Sequence, residues 1–218
     1  MANVAQHGGG TNSTIFNIQT IRIQRLLSKS FDFVFVDGPF ATVAGPDVLP
    51  TFDGCGPFLR WAGYSALPHE SLDAIESALK GRESDVVGVM GFSQGGKLGA
   101  GLLLMQQLRG DDDTYPINFK FGIMLMSTTP PFVSKEFWDR SDEIVTIPTL
   151  HVVGKEDIWY QDGLRLFQEH FDRSSSSLLE YDVGHRLPIE QQHNVEIVSR
   201  IKILYEKSTG KELVEYKG

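Results

Sequence analysis

The stretch Val86-Val87-Gly88-Val89-Met90-Gly91-Phe92-Ser93-Gln94-Gly95-Gly96-Lys97-Leu98-Gly99-Ala100-Gly101-Leu102-Leu103-Leu104 decides how the rest of the chain is read. It opens as a short apolar run rich in β-branched residues, the pattern of a strand buried on both faces. It turns through Gly91-Phe92-Ser93-Gln94-Gly95 and continues as a helix of small and aliphatic residues. Strand, sharp turn and helix form the setting in which G-x-S-x-G lifts a serine hydroxyl above the carboxyl edge of a sheet as a nucleophile. The glycines two before and two after the serine are needed where strand and helix backbones pass too closely for a Cβ. The pentapeptide alone is weak evidence, because a chain with 22 glycines in 218 residues meets it readily by chance. The flanking strand and helix favour a catalytic Ser93 over an ordinary turn serine.

Working outward, 218 residues fit one domain with a full core, residues 1–218. A net charge of −8 argues against nucleic acid or an anionic membrane as partner, since both require clustered lysine and arginine. The single cysteine, Cys55, excludes an internal disulfide and a cysteine-based zinc site, and no cofactor or metal is expected. The first seven residues carry neither a charged n-region nor an apolar h-region, and no run reaches membrane-spanning length. The expectation is a cytoplasmic protein, and the formal glycosylation sequon Asn12-Ser13-Thr14 is discounted.

Upstream of the decisive stretch, Ala2 to Gln6 reads as a short, polar-leaning strand. His7-Gly8-Gly9-Gly10-Thr11-Asn12-Ser13 follows: glycines that free backbone N–H groups, then three candidate caps for a helix over 14–28. Phe31 to Val36 is a strong strand ending at Asp37-Gly38-Pro39. Asp37 is a rival catalytic acid, though a turn-forming role fits it better. Residues 38–69 read as an irregular insertion holding Phe40, Phe52, Phe58, Trp61 and Tyr64, either a pocket wall or a loop anchored to the core. A helix is predicted from Pro68 to Leu79.

Downstream, Asp111-Asp112-Asp113 reads as a solvated loop tip, and Phe119 to Met126 as a buried strand. A second insertion, 127–146, follows it with Phe132, Phe137 and Trp138. Ile147 to Val153 is a strand leading to Gly154-Lys155-Glu156-Asp157; a helix over 160–171 and a strand over 178–182 lead to Val183-Gly184-His185. The last helix spans about 190–206 and the charged tail beyond it is expected to fray.

This alternation implies an α/β fold: a mostly parallel six-stranded sheet with helices on both faces, ligands binding at the carboxyl ends of the strands. Ser93, Asp157 and His185 all fall at such ends, in the chain order of the α/β-hydrolase fold. A serine hydroxyl needs a neutral imidazole to take its proton during attack and return it to the leaving group. The carboxylate fixes the imidazole tautomer and stabilises the transient imidazolium. The backbone N–H groups of Gln94 and of Gly9, chosen from Gly8 to Gly10, are the expected oxyanion donors. Among rivals, Glu156 is the nearest competitor of Asp157. His151 reads as core, His69 as a helix start, His170 and His193 as helix surface, and His7 as shaping the glycine loop.

The set His7-Gly8-x-Gly10-Thr11-Asn12, Phe33-Val34-Phe35-Val36-Asp37-Gly38-Pro39, Gly91-Phe92-Ser93-Gln94-Gly95-Gly96, Pro148-Thr149-Leu150-His151-Val152-Val153-Gly154-Lys155-x-Asp157 and Gly184-His185 resembles the FSH1-type serine hydrolases, also called the ovarian-cancer-gene-2-like family. The resemblance covers nearly the whole chain in motif order. Within the family it looks most like fungal thioesterases and esterases encoded beside polyketide synthases, and Ala44-Gly45-Pro46 and Gly56-Pro57 also look like that branch. It implies a Ser93, Asp157 and His185 triad. The chain departs from the family in its short, polar first strand.

The expected activity is hydrolysis of an acyl thioester or ester through a Ser93 acyl-enzyme. The resemblance implies release of a polyketide chain from the acyl carrier protein of its synthase. The small-molecule acyl substrate is expected to lie against Phe58, Trp61, Phe132 and Trp159. A docking carrier calls for a local basic patch, for which Arg60 and Lys135 are candidates. The alternatives are a general carboxylesterase on small esters and a non-catalytic binding module that keeps the fold.

Overall fold

The computed structural model describes residues 1–63, 66–110 and 117–213. Its centre is β5 (Val86–Phe92), which is buried except at half-buried Val87. Around it stand β1 (Ala2–Gln6), β2 (Asp32–Val36), β6 (Phe121–Leu125), β7 (Thr149–Gly154) and β8 (Ser177–Tyr181). The six strands lie in the order β2-β1-β5-β6-β7-β8, and every neighbouring pair is parallel. Parallel strands need crossovers, and the crossover helices cover both faces. Helices α3 (His69–Leu79), α4 (Gln94–Arg109) and α5 (Tyr160–His170) bury Ile75, Leu98 and Leu166 with Val4 and Val89. Helices α1 (Ser13–Gln19), α2 (Ile21–Leu27) and α6 (Gln191–Thr209) bury Phe16, Ile23 and Ile201 with Ala5 and Met90 on the other face. The alternation of Val4 with Ala5 and of Val89 with Met90 is the two-residue period of a strand dividing its side chains between two cores.

The fold class expected from the sequence is present, with local differences. The single helix expected over 14–28 is two short ones. Thr20, fully buried between them, adopts φ −95° and ψ 4° and donates its hydroxyl proton to the Phe16 carbonyl at 2.8 Å. A hydroxyl bonding back to the carbonyl four residues earlier bends a helix. The polar first strand is central: β1 is buried throughout and pairs on both sides. Its Asn3 and Gln6 carboxamides are buried without a hydrogen-bond partner among the described residues. Such groups typically cost about 1–3 kcal/mol each.

The first insertion is more ordered than its sequence suggests. It carries an antiparallel pair, β3 (Phe40–Thr42) and β4 (Phe58–Arg60), in strands too short for a periodicity to be read. The pair is stitched to the glycine loop: Gly10 N–H donates to Leu59 O at 2.8 Å and Leu59 N–H to Thr11 O at 2.7 Å. Asn12 caps α1 by accepting from Ile15 N–H at 2.9 Å, and its amide donates to the carbonyls of Cys55 and Pro57 at 2.7 and 2.9 Å. The second insertion lies along α4, with Phe132 N–H donating to Lys97 O at 2.9 Å. A Cβ at Gly101 would collide with the Phe132 carbonyl, so this packing requires glycine there. Leu67 N–H donates to Val133 O at 2.9 Å and joins the two insertions. The acidic run Asp111 to Asp113, Tyr64 and the end of the charged tail lie outside the described residues.

Candidate active site

Ser93 occupies the turn between β5 and α4 with φ 52° and ψ −115°. A side chain held at positive φ typically costs about 1–3 kcal/mol, which the surroundings must over-determine. They do so through the backbone. Ser93 N–H donates to Leu125 O at 2.9 Å, and Ser93 O accepts from Gly96 and Lys97 N–H at 3.0 and 3.1 Å. A Cβ on Gly91 would run into the Gly95 carbonyl, and one on Gly95 into the Gln6 carbonyl. The two glycines of the motif are the points where strand and helix touch.

Asp157 follows β7 and is 8% exposed; His185 follows β8. The His185 Nδ1 and the Asp157 Oδ2 are 2.6 Å apart. The other carboxylate oxygen accepts the Trp159 N–H at 2.9 Å, so both oxygens of Asp157 are used. With Nδ1–H donating to the carboxylate, Nε2 is left as the proton acceptor. The imidazole sits between Phe92, 5.0 Å away between ring centres, and Trp159, 4.5 Å away edge to face. Phe92 is the neighbour of Ser93, so this packing holds the imidazole at the Ser93 turn. Among the described residues no hydrogen bond joins Ser93 to His185; in unliganded sites that contact is commonly long and tightens with substrate. Glu156, the competing carboxylate, is exposed and is held by its own N–H, which donates to Val183 O at 3.1 Å. Asp37 accepts the Ser13 N–H at 2.7 Å, a turn and capping role.

The glycine loop comes up beside Ser93: a Cβ on Gly8 would lie 3.5 Å from that of Ser93, and one on Gly9 3.4 Å from the Gln94 carboxamide. The N–H groups of Gly10 and Thr11 are taken by Leu59 O and Gly8 O. The Gly9 N–H has no partner among the described residues, and the Gln94 N–H, first in its helix, has no helical carbonyl to meet. These two amides are free to face developing negative charge. His7 fixes the loop from behind. Its Nε2 accepts the Gly38 N–H at 2.9 Å, so Nδ1 carries the proton and donates to Gly8 O at 2.7 Å. Burial pushes its pKa below the ordinary histidine value, against the opposing effects of the Gly8 hydrogen bond and the Asp37 charge.

Two cavities flank Gly63 on the carboxyl side of the sheet. One, of about 280 Å³, is lined by Gly9, Gly10, Arg60 and Gln94 with the 42–46 segment. The other, of about 320 Å³, is lined by Lys97, Pro130, Pro131, Phe132, Val133 and Trp138. Of the expected substrate contacts, Phe132 lies in the second and Trp159 against His185. Trp61 does not face either: it is 0% exposed, donates its indole N–H to His7 O at 2.9 Å and stacks 5.1 Å from the His7 ring. Its size and polar handle suit an anchor beneath the glycine loop. Phe58 sits in β4 opposite Thr42, beside the first cavity but not among the residues that line either. Arg60 lines the first cavity, whereas Lys135 opens an exposed 3₁₀ turn, Lys135–Arg140. Of the rival histidines, His151 is buried as expected, but His170 is also buried, its Nε2 3.0 Å from the Thr129 hydroxyl. The sequence reading missed two contributions. The Gln94 side chain clamps the first insertion, accepting from Trp61 N–H at 2.8 Å and donating to Ala62 O at 3.0 Å. Lys97 enters a cavity, and the available signal was a cation within the small and aliphatic stretch 95–105 of α4.

A model of the serine hydrolase (FSH1) family matches residues 4–197. The chain is 34% identical to the "Probable esterase tazC" of Aspergillus terreus, over 94% of this chain and 91% of that protein. It is 30% identical to the "Esterase pigG" of Monascus ruber, over 89% and 88%, and 29% identical to the "Esterase FUS5" of Gibberella fujikuroi, over 95% and 88%. Among solved structures it is similar to Arabidopsis thaliana SOBER1, with a TM-score of 0.59 at 17% identity over 94% of this chain and 98% of that one. The monoacylglycerol lipase of Paleococcus ferrophilus gives a TM-score of 0.58 at 15% identity over 95% of both chains. These two likenesses show the α/β-hydrolase fold.

Proposed function

Because the chain belongs to the FSH1 family of serine hydrolases, we propose that it hydrolyses an acyl thioester or ester through an acyl-enzyme on Ser93, with His185 as base and Asp157 as its partner. The observation that carries this is the 2.6 Å Asp157–His185 pair, packed through Phe92 beside a serine held at φ 52°. His185 Nε2 takes the hydroxyl proton as Ser93 Oγ bonds to the acyl carbon. The carbonyl electron pair moves onto oxygen, where the Gly9 and Gln94 N–H groups receive it. Each such donor is typically worth about 3–4 kcal/mol of barrier. Collapse breaks the bond to the leaving thiol or alcohol, which takes the proton from His185. Water then repeats the sequence and frees the acid and Ser93.

Within that chemistry, the leading reading is release of a polyketide chain from an acyl carrier protein. Arg60 supports it: an exposed cation in a chain of net charge −8, beside the oxyanion amides, suits a leaving group tethered through a phosphate. The second reading, a carboxylesterase on small esters, is favoured by the esterase names of the relatives. The test compares kcat/KM for a carrier-bound acyl thioester, its N-acetylcysteamine thioester and the matching ethyl ester, in the wild type and in Ser93→Ala. Carrier release predicts the carrier-bound thioester at least tenfold ahead and no turnover by Ser93→Ala. An ethyl ester turned over best would replace it with the carboxylesterase reading.

A further inference from the structure

The cavity over Lys97 has a composition unlike the surface around it. Its walls are Pro130, Pro131, Phe132, Val133 and the half-exposed Trp138, and among the described residues its lining holds one charged side chain, that of Lys97. Among the described residues no carboxylate lines either cavity, although the chain has 28 acidic residues. Several other cations are paired with carboxylates: Arg82 with Asp32, Arg140 with Glu143, Lys155 with Asp182 and Arg165 with Asp162. Lys97 has no ion pair among the described residues. Its ammonium lies 4.4 Å from the centre of the Phe132 ring, and the nearby carboxylate of Asp162 is bonded to Arg165. Burial holds this ammonium below the ordinary lysine pKa, with only the Asp162 charge opposing. A partly desolvated cation with an aromatic face beneath it and apolar walls around it is half of a binding site for an amphiphilic anion.

Its position says which part of a substrate would reach it. Lys97 is one helical turn beyond Ser93, and its N–H donates to Ser93 O at 3.1 Å. The four-residue step from Ser93 to Lys97 rises about 6 Å along the axis, near the length of an extended six-carbon acyl group. The oxyanion amides and Arg60 lie on the other side of Gly63, in the first cavity. We propose that the Lys97 cavity receives the far end of the acyl chain and selects acyl groups that carry an anionic oxygen there, such as a carboxylate. The proposal rests on the reading of Ser93 as acyl nucleophile. The chain would lie along Phe132 and Trp138, and its terminal anion would replace the water around the ammonium.

The test uses two p-nitrophenyl esters, the hemiester of adipic acid and the hexanoate, which share chain length and differ at the far end. The readout is the ratio of their kcat/KM values. In Lys97→Met the adipate-to-hexanoate ratio should fall at least tenfold, Lys97→Arg should restore most of it, and Arg60→Met should leave it near the wild-type ratio. A ratio that does not move in Lys97→Met, or that moves in Arg60→Met instead, overturns the proposal. Binding provides a readout independent of turnover. Calorimetry of adipic acid monomethyl ester with Ser93→Ala should give a Kd at least tenfold tighter than with Ser93→Ala/Lys97→Met. Equal affinities overturn the subsite even if neither ester is cleaved. Fluorophosphonate labelling of the wild type reports separately on Ser93, so the nucleophile and the subsite can fail independently.

Discussion

Gln94 holds Trp61 in place with the far end of its side chain, accepting the Trp61 N–H at 2.8 Å and donating to the next carbonyl, that of Ala62, at 3.0 Å. Its own backbone N–H sits at the first position of α4, where it is free to face an oxyanion. One residue thus places a free backbone amide beside Ser93 and fastens the insertion beneath the Gly9 loop. Gln94→Leu should keep the backbone donor and lose the clamp. Kinetics should show kcat/KM lowered about tenfold, and denaturant unfolding should show a loss of about 1–3 kcal/mol for two hydrogen bonds. A loss of stability with unchanged kinetics would confine the clamp to a structural role.

The carboxylate of Asp157 is fully engaged, by His185 and by the Trp159 N–H. Asp157→Asn preserves shape but puts an amide donor or a neutral acceptor against Nδ1, which disfavours the productive tautomer. Steady-state kinetics should show kcat reduced by roughly 10³–10⁴. Thermal melting within a few degrees of wild type would separate this from misfolding.

The Ser93 backbone is held at φ 52°, where only glycine is comfortable. Ser93→Gly relieves that strain and Ser93→Ala does not. Both should abolish the fluorophosphonate adduct seen by intact mass in the wild type. Ser93→Gly should melt above Ser93→Ala by about 2–4 °C, corresponding to about 1 kcal/mol for a chain of this size. Equal melting temperatures would mean that the turn carries little strain.

His151 is buried among Phe167 and Phe171, with its Nε2 3.0 Å from the Thr149 hydroxyl, and burial lowers its pKa to about 3. His7 is shifted in the same direction. The native state keeps these imidazoles neutral while the unfolded chain protonates them. Stability from them is therefore fully present above the unfolded value near 6.5 and lost as pH falls below it, towards 3 for His151. Urea unfolding should lose up to about 1.4 kcal/mol per pH unit on account of His151 between pH 6 and 4, with His7 adding a loss of the same sign. The slope should be shallower in His151→Gln.

Much of this was legible in the sequence because it rests on backbone periodicity and order. The β-branched run before Ser93 and the alternation of strands with helices give the parallel sheet. The placing of Asp157 and His185 just past strand ends gives the pair that is in contact. Ala2 to Gln6 reads as a strand, but its polar residues do not mark that Asn3 and Gln6 lie buried inside the sheet, and composition misled at Trp61. An aromatic in a Gly/Pro-rich loop carries no mark of which side it faces. Trp61 turns inward because the His7 carbonyl and the Gln94 side chain satisfy its polar groups. Contacts of that kind link residues 33 to 54 positions apart and leave no local pattern to read.

In the sheet register, Gln6 stands opposite Gly91. Gly9 lies three residues past the first and Gln94 three past the second, so their two free amides are indexed to each other by this one strand pairing. A slip of one position would shift one of them by about 3.3 Å and turn its strand over. The enzyme's activity is therefore a gauge of assembly: β1 must wait for β5, some 84 positions later in the chain, before the amides can align. During refolding, catalysis should return with this long-range pairing, after helical signal has been regained.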